Sequence, residues 1–358
     1  MIVWELVPGT HFADVSDAWD ALNRANGGSA LLESRFIAAL LRHFGTKQVF
    51  AALGTRGGAV VAMALVQRGS RLAWTTFQPD QAPLGAWQCS AGIDPGSAAH
   101  SLLKHLPGIP LLFGIMHQDP DLAPRPPDTP SLRTLDYIQT ARVRTAGGFD
   151  AYWAARGKNL RHNLKRQRNR LEREGLIPRL EVLTAPGDMA GVIVDYGRLE
   201  GAGWKTGGGT AVTPDNLQGA FYRALLETFA ASGDAVAYRL SYNDRVVACD
   251  LCIRGNGILN WLKTTYDESQ TTSSPAGLLR QDAFRLAFAD PATRLIEFYG
   301  PVMDWHTKWA QEFRTLYHIN VYRWPWLAAL HQRGRRTGAP SPLEAAESPD
   351  GQSEPRLV

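Results

Sequence analysis

Apolar residues recur in short alternating or continuous runs between turn residues, and this pattern predicts strands that alternate with amphipathic helices. In the second half, three β-rich runs begin at Ala235 and are separated by turns at Asn243-Asp244 and Gly255-Asn256-Gly257. These residue types accept a positive φ, so they indicate hairpins. A small-residue loop and an apolar helix from Leu278 follow the third run. The pattern predicts three antiparallel strands that lead into one loop and one helix.

The first half shows the same order of elements. Two helices are predicted within residues 13–44, and three β-rich runs separated by glycines follow them. The run from Val60 to Gly69 aligns with the run from Val246 to Gly255, with several identical residues. Similar strands arise from composition alone, but the shared order of helices and strands favours a duplicated domain. We therefore predict an α/β fold with a mixed sheet, of the α+β type, in two tandem domains.

Linkers and turns suggest the boundaries. Residues 118–132 contain five prolines and suit a surface connection. We predict a first domain at 1–145, a second at 146–332, and a disordered tail at 333–358, where Gly, Pro, Ser and Glu dominate without apolar periodicity. The first copy has a long proline-containing loop after its third strand, so we expect it to be the degenerate partner.

A strongly basic segment opens the second domain. Residues 149–175 contain eight basic and three acidic residues, and their apolar positions form a narrow stripe. This pattern predicts an amphipathic helix over 150–175 with a cationic outer surface. One interpretation is a solvated face, because charge runs commonly are that. The others are a site for an anionic substrate or lipid surface, using Arg161, Lys165 and Arg168, or for nucleic acid, which the absence of interleaved aromatic residues disfavours.

Composition narrows the class of protein. With 44% apolar and 20% charged residues among 358, the chain suits a globular protein with a sizeable core, and its net charge of +4 is modest. We see neither a signal peptide nor a membrane-spanning apolar run. Three cysteines cannot form a disulfide framework. We expect a cytoplasmic protein, with peripheral attachment to the inner face of a membrane as an option.

The loop before the helix at Leu278 is a candidate phosphate site. Ser273, Ser274, Ala276 and Gly277 would leave the N–H groups of the helix start unobstructed. An ordinary capped helix with proline in its first turn explains the same residues. A pyrophosphate-bearing cofactor is therefore one hypothesis of two.

Several short motifs, taken in order, carry a family resemblance. They are the basic segment Asn159–Arg173, Glu200–Lys205, Phe221-Tyr222, Lys263–Asp267, Ser274–Leu279 and Lys308-Trp309. Together they resemble the GCN5-related N-acetyltransferase (GNAT) fold, and within it the CelD/BcsL-type acetyltransferases associated with bacterial exopolysaccharide synthesis. The FemAB-type aminoacyltransferases, which carry two such domains, resemble the chain in the same way. The resemblance covers about Asp14 to Arg323.

The resemblance implies tandem GNAT-like domains and an acyl-CoA donor, such as acetyl-CoA, whose pantetheine arm pairs with the strand Leu259–Thr265. The family's pyrophosphate loop falls on Thr272, Pro275 and Gly277, and only Gly277 matches its pattern. A donor other than acetyl-CoA therefore stays open. The implied cofactor-binding residues are Trp261, Leu262, Lys263, Ser273, Ser274, Ala276, Gly277 and Leu278.

Acyl transfer also needs a base and a proton donor. Asp267 and Glu200 are the first candidates for the base and Asp250 the third, although carboxylates near turns are often caps. Tyr266 is the candidate donor to the leaving thiolate, with a core tyrosine as the alternative. The predicted substrate-binding residues are Arg161, Lys165, Arg168, Trp204, Lys205 and Lys308. No histidine spacing suggests a metal, and we predict none.

These expectations point to an acyl-CoA-dependent acyltransferase. The acceptor would be an amine or hydroxyl of a glycan, a sugar nucleotide or an envelope precursor, with an anionic character that suits the basic segment. One alternative is a FemAB-like transferase that uses aminoacyl-tRNA. Another is a non-catalytic binding or scaffold protein of polysaccharide assembly, docked on lipid or on protein partners.

Overall fold

The computed structural model describes residues 1–201 and 212–336, with side chains described as far as Leu330. The described chain forms two compact units. The first consists of Met1–Tyr137 and the segment that starts at Thr315, and the second of Ile138–Arg314. The chain therefore leaves the first unit, builds the second, and returns to the first.

The elements up to the second unit contain the predicted two helices, three strands and following helix, with β1 and β5 as additional strands. They are β1 (Val3–Pro8), α1 (Ser16–Ala25), α2 (Ser34–Phe44), β2 (Val49–Arg56), β3 (Ala59–Arg68), β4 (Ala73–Thr76), β5 (Trp87–Cys89), α3 (Pro95–His105), β6 (Leu112–Gln118) and β7 (Leu132–Arg144).

The second unit and the returning segment supply the remaining elements. They are α4 (Phe149–Ala154), α5 (Lys158–Arg173), β8 (Pro178–Leu183), α6 (Met189–Gly201), α7 (Leu217–Ala230), β9 (Ala235–Tyr242), β10 (Arg245–Gly255), β11 (Ile258–Tyr266), α8 (Pro275–Ala289), β12 (Leu295–Phe298), α9 (Asp304–Trp309), β13 (Glu312–Tyr322) and α10 (Pro325–Arg336). The predicted tail thus begins within α10, and residues 337–358 lie outside the described part.

Each unit contains a mixed sheet with one parallel pair of strands. In the first unit the strand order is β1-β2-β3-β4-β6-β13, with β5 beside β3, and β4 with β6 is the parallel pair. In the second unit the order is β7-β12-β11-β10-β9-β8, and β11 with β12 is the parallel pair. The two units thus repeat one arrangement: two helices, three antiparallel strands, a helix and a parallel strand. The predicted mixed α/β fold is confirmed.

The apolar stripe of the basic segment packs as predicted, but the segment is not one helix. Leu164 and Leu171 are buried in the core of the second unit, which also contains α8 and the faces of β9, β10 and β11 that pack against it. The helix breaks between α4 and α5, where Gly157 is the N-cap of α5 and Arg156 turns inward. Its guanidinium group donates to the carbonyl oxygens of Tyr152 and Trp309. Arg156 is therefore buried and does not belong to the cationic outer surface.

Strand β1 was not predicted, although its alternating residues suit an edge strand. It pairs with β2 in an antiparallel register from Val3 to Pro8. Among the described helices, none is both long and apolar enough to cross a membrane.

The parallel strands of the first unit separate after three residue pairs, and the chain itself fills the gap. The last of these pairs joins Thr75 to Gly114. Beyond it, the N–H of Gly85 donates to the carbonyl of His117 and the N–H of Leu65 to that of Ala86. The segment then continues as β5 along β3. A stretch of the long loop, with β5, thus takes the place that β4 leaves vacant between β3 and β6.

We expect Gly85→Ala to destabilise the first unit, because a Cβ at this position would lie 1.9 Å from the carbonyl oxygen of Met116. Overpacking against backbone costs about 1–3 kcal/mol. The measurement is the free energy of unfolding from urea titration. Gly69→Ala is the control, since its Cβ would find only ordinary contacts, the nearest at 3.6 Å. Equal stability of the two variants would contradict the tight packing of this segment.

Candidate active site

The parallel strands of the second unit also separate after three residue pairs. The pairs run from Ile258 with Leu295 to Asn260 with Glu297. Strand β12 then ends at Phe298, while β11 continues to Tyr266 with β10 along its other edge. Among the described residues, no strand pairs with the β12-side edge of β11 beyond Asn260. The second unit therefore keeps open the edge that the first unit fills with its own chain.

A β-bulge lies within this open edge. Lys263 pairs with Leu251 and Trp261 with Cys252, so Leu262 is the additional residue of β11. A bulge disturbs the regular ladder and redirects neighbouring backbone groups, which is why bulges are frequent beside active sites. Of the predicted cofactor-binding residues, Trp261, Leu262 and Lys263 all lie at this bulge.

The remaining predicted cofactor residues lie at the start of α8, where α5 packs closely. The N–H of Ser274 donates to the side-chain carbonyl of Gln167, 3.0 Å away. A Cβ on Gly277 would lie 2.9 Å from the Ser274 hydroxyl and 3.1 Å from Leu164, so glycine allows this close approach. Ser273 accepts a hydrogen bond from Tyr242, and Leu278 is buried. The N–H groups of Ala276 and Gly277 remain as first-turn donors of the helix.

Asp267 binds the turn that follows β11. Its carboxylate accepts from the N–H and hydroxyl of Ser269 and pairs with Arg245 at 2.7 Å. Burial opposes ionisation, but these hydrogen bonds and the Arg245 charge outweigh it and lower the pKa of Asp267. A carboxylate held in this way is a weak proton acceptor. Its contacts are those of a structural cap.

Glu200 anchors the chain that follows α6. One carboxylate oxygen accepts the N–H of Val212 at 2.6 Å, and the other accepts the hydroxyl of Tyr196 at 3.4 Å. In the first unit, Asn23 near the end of α1 holds Ser29 by two hydrogen bonds to its backbone. The two buried side chains occupy corresponding places in the repeat. The similarity between Asn23 and Glu200 favours a structural role for Glu200. Its predicted role in catalysis stays a prediction.

Asp250 lies in a buried polar cluster beneath α8. Within the described residues its carboxylate oxygens make no hydrogen bond of ordinary geometry, and neither do the Thr264 hydroxyl, the Trp261 indole N–H and Nε of Arg280. The Thr264 hydroxyl and the Trp261 N–H are nevertheless near enough to act on the carboxylate as hydrogen-bond donors. Burial raises the pKa of Asp250 to about 6, while the nearby Arg280, Thr264 and Trp261 act in the opposite direction. Thr264 faces Asp250 across the β10–β11 ladder, within the open part of β11.

Arg280 is a buried residue of this cluster that the sequence analysis missed. Its guanidinium carbon lies 3.8 Å from the ring centroid of Trp305, so the cation rests against an aromatic face of α9. An arginine within an apolar helical stripe is a signal that could have indicated a buried charge. It joins α8, α9 and the Asp250 cluster.

Three other predicted side chains have separate environments. Tyr266 is half-buried, and burial together with the Glu268 charge raises its pKa, so its phenol stays protonated at neutral pH. The Lys263 ammonium group lies 5.6 Å from the ring centroid of Tyr222. Lys308 is exposed on α9. Trp204 and Lys205 lie outside the described residues.

The predicted basic face forms one wall of an open cavity of about 580 Å³ between α5 and α8. Arg168 is engaged there by Gln281 and by Asp282, 2.7 Å away. The side chains that remain exposed on this wall are Lys158, Arg161, His162 and Lys165, with Arg285 opposite and Trp153 at one end. We call this cavity the basic groove. Lys158 and Arg285 were not predicted, although Lys158 belongs to the helical spacing of Arg161 and Lys165.

Within the described ranges, no three histidine, cysteine, aspartate or glutamate side chains are grouped to hold a metal ion. Cys249 and Cys252 are both buried, and the pKa of each thiol is raised chiefly by burial.

Comparisons with known proteins bear on the second unit first. Residues 158–309 match the family model described as an acetyltransferase (GNAT) domain. This range contains the open strand β11, α8 and the basic groove's wall on α5. No curated protein sequence matches the chain.

Several solved structures share the fold over most of the chain. The C-terminal domain of a putative lysylphosphatidylglycerol synthetase from Agrobacterium fabrum is 11% identical, with 91% of this chain and 96% of that chain covered and a TM-score of 0.54. FemX is 10% identical, with coverage of 92% and 99% and a TM-score of 0.54. A conserved protein of unknown function from Bacteroides thetaiotaomicron is 9% identical, with coverage of 90% and 100% and a TM-score of 0.50.

Identities this low show the fold and leave substrates open. The family match adds that the open edge of β11 lies inside the range that resembles an acetyltransferase (GNAT) domain. The repeated mixed sheets and these similarities show that the chain has a GNAT-like fold, within which residues 158–309 match the model of the acetyltransferase (GNAT) domain.

Proposed function

We propose that the protein is an acyl-CoA-dependent acyltransferase whose second unit binds the thioester along the open edge of β11. The observation that carries this proposal is the parallel pair β11–β12, which opens after three residue pairs. On that side, no strand of the described chain pairs with the bulged part of β11. An extended pantetheine arm carries amides that suit such an edge, because they exchange hydrogen bonds with backbone groups as a strand does.

The residues present fit this donor at both ends of the edge. At the start of α8, the N–H groups of Ala276 and Gly277 are available to pyrophosphate oxygens beside the half-exposed Ala276 side chain. At the bulge, backbone N–H groups around Leu262 lie where they could polarise a thioester carbonyl. In the reaction, the acceptor nitrogen or oxygen forms a bond to the acyl carbon, the carbon–sulfur bond breaks, and the sulfur takes a proton.

For the proton of the acceptor, we propose Asp250 ahead of Asp267 and Glu200. The last two carboxylates are engaged in turn and loop anchoring. Asp250 lies within β10 rather than in a turn or helix cap, and its pKa of about 6, raised by burial against the opposing effects of Arg280, Thr264 and Trp261, leaves it ionised at neutral pH and still basic. Tyr266, whose phenol stays protonated, is the proposed donor to the sulfur.

For the acceptor, we propose an anionic molecule held in the basic groove. Lys158, Arg161 and Lys165 repeat along one face of α5 and are exposed, so they present several positive charges in a row. Arg168 helps to hold α5 against α8 through Asp282 and contributes less to a ligand. A glycan, sugar nucleotide or envelope precursor with phosphate or carboxylate groups has the matching charge.

The donor proposal is tested by titration calorimetry with acetyl-CoA and longer acyl-CoAs. We expect wild type to bind a CoA thioester and Ala276→Glu to lose at least tenfold in affinity, because the half-exposed position places the new carboxylate at the α8 start, where it repels phosphate. Gly191→Glu is the charge-matched control, since a Cβ there meets nothing within 4 Å. If wild type binds no CoA thioester, the donor proposal is wrong, and aminoacyl-tRNA is the next donor to assay.

The acceptor proposal is tested with inorganic pyrophosphate as a probe. We expect the triple variant Lys158→Glu, Arg161→Glu, Lys165→Glu to bind it at least tenfold more weakly at low salt, with the difference shrinking in high salt as screening increases. The charge-matched control reverses Arg24, Lys47 and Arg56, which are exposed on the first unit. An equal loss in both triple variants would show a net-charge effect and contradict a groove site.

The environment of Asp250 is tested by the pH dependence of unfolding. Asp250 has a pKa of about 6 in the folded protein, and an aspartate in an unfolded chain has a pKa of about 3.9. As the pH rises between these values, the free energy of unfolding of the protein decreases by up to about 1.4 kcal/mol per pH unit. We expect wild type to show this loss and Asp250→Asn to lack it. The measurement is urea unfolding at pH 4.5 and 7, with Asp150→Asn as an exposed control. Identical pH profiles of wild type and Asp250→Asn would contradict the raised pKa.

A further inference from the structure

Five large apolar side chains are exposed at one end of the first unit. They are Leu72, Ile109, Trp324, Trp326 and Leu330, with exposed fractions of 51%, 65%, 42%, 59% and 60%. Among the tryptophans that the structure describes, Trp324 and Trp326 are the exposed ones, and their rings are stacked with centroids 6.1 Å apart. We call these five residues the tryptophan patch.

The backbone brings the members of the patch to one surface. The carbonyl of Leu72 accepts the N–H of Leu111, and the carbonyl of Leu111 accepts the N–H of Arg323. The turn before β4, the segment before β6 and the end of β13 are therefore neighbours. An exposed residue lies in or beside each of these segments: Leu72, Ile109 and Trp324.

Helix α10 extends the patch because it is buried on its opposite side. Ala328 is fully buried against Ala73, Leu112 and Tyr322. Trp326 and Leu330 are four residues apart and share a helical face, whereas Ala328 lies about 200° around the helix from each of them. The fold thus anchors α10 through Ala328 and leaves the Trp326–Leu330 face without a partner within the described chain.

Basic side chains surround the patch. Arg71 is exposed next to Leu72, and Lys104 is exposed at the end of α3, shortly before Ile109. The guanidinium carbon of Arg323 lies 5.8 Å from the ring centroid of Trp324. On the other side of α10, the carboxylate of Asp128 accepts the N–H of Thr134 and is close to Arg133. The surroundings of the exposed indoles are therefore cationic.

We propose that the tryptophan patch docks on the surface of an anionic lipid bilayer. Indoles combine an apolar ring with a polar N–H, so they are stable at the level of the lipid headgroups. Leucine and isoleucine side chains add apolar contact at the acyl boundary, as in interfacial helices. Arg71, Lys104 and Arg323 meet the lipid phosphates, and each basic residue near an anionic surface contributes attraction.

A lipid surface suits the patch better than a second copy of the chain does. In a two-fold symmetric dimer the same patch faces itself. Arg71, Lys104 and Arg323 of one copy would then approach those of the other, and like charges across an interface oppose association. Lipid phosphates instead bring the opposite charge. The proposal is independent of the acyl-transfer proposal, because it concerns the first unit alone.

The test is binding of the full chain to lipid vesicles, measured by cosedimentation. The vesicles are pure phosphatidylcholine or phosphatidylcholine mixed with phosphatidylglycerol. We expect wild type to bind the anionic vesicles at low salt and the variant Trp324→Ser, Trp326→Ser to bind them at least tenfold more weakly. Both residues are exposed, so the variant should fold, which circular dichroism checks. The matched control is Ile177→Ser, Leu217→Ser, which removes exposed apolar side chains elsewhere.

The possible outcomes distinguish lipid binding by the tryptophan patch from lipid binding by the basic groove and from dimerisation. The proposal is supported if the control binds like wild type and if brominated lipids quench tryptophan fluorescence in wild type more than in the tryptophan variant. Absence of wild-type binding to anionic vesicles overturns it. So does loss of binding only on charge reversal of Lys158, Arg161 and Lys165 in the basic groove. Concentration-dependent dimerisation that the tryptophan variant abolishes would assign the patch to a protein interface and overturn it as well.

Discussion

The separation of two parallel strands is the constraint on which the rest of the structure depends. Both units begin a parallel pair and end it after three residue pairs. Each must then satisfy the backbone groups beyond that point, because buried N–H and C=O groups without partners are costly. In the first unit Gly85 and β5 supply the partners. In the second unit β11 is bulged and no described strand covers its edge, which is why we propose this edge as the site of an extended ligand.

Packing around α8 determines which side chains are available at that site. Helix α5 contacts the start of α8 through Leu164 and Gln167, and Arg168 fastens the two helices through Asp282. Lys158, Arg161 and Lys165 are left on the exposed side. Beneath α8, the buried Arg280 and Asp250 carry opposite charges that interact electrostatically near the open strand. Burial thus separates the basic residues into two groups: Arg168 and Arg280 are engaged within the fold, and Lys158, Arg161 and Lys165 are exposed and can meet a ligand.

The repeat also clarifies a residue that looked catalytic. Asn23 lies near the end of α1 and Glu200 near the end of α6, the corresponding helix of the second unit. Each side chain accepts a backbone N–H from a residue after its helix, Ser29 and Val212 respectively. The same task is done by a neutral side chain in one unit and by a carboxylate in the other. The contacts of a charged side chain must therefore be known before a catalytic or a structural role is assigned to it. Asp267 is a second example, because its hydrogen bonds are those of a turn.

The sequence by itself determined the helix–helix–three-strand order of both units, the mixed α/β fold, the duplication and the amphipathic stripe of α5, because these follow from local turn residues and hydrophobic periodicity. It also indicated the residues at β11 and the α8 start. Tertiary structure alone decided that Arg156 turns inward, that Gly85 closes the first unit's gap, and that Asp250 lies beside Arg280. It also decided that Trp324 and Trp326 are exposed. These features depend on contacts between residues that are far apart in the chain. The hydrophobic pattern describes local periodicity and does not specify which distant residues come into contact.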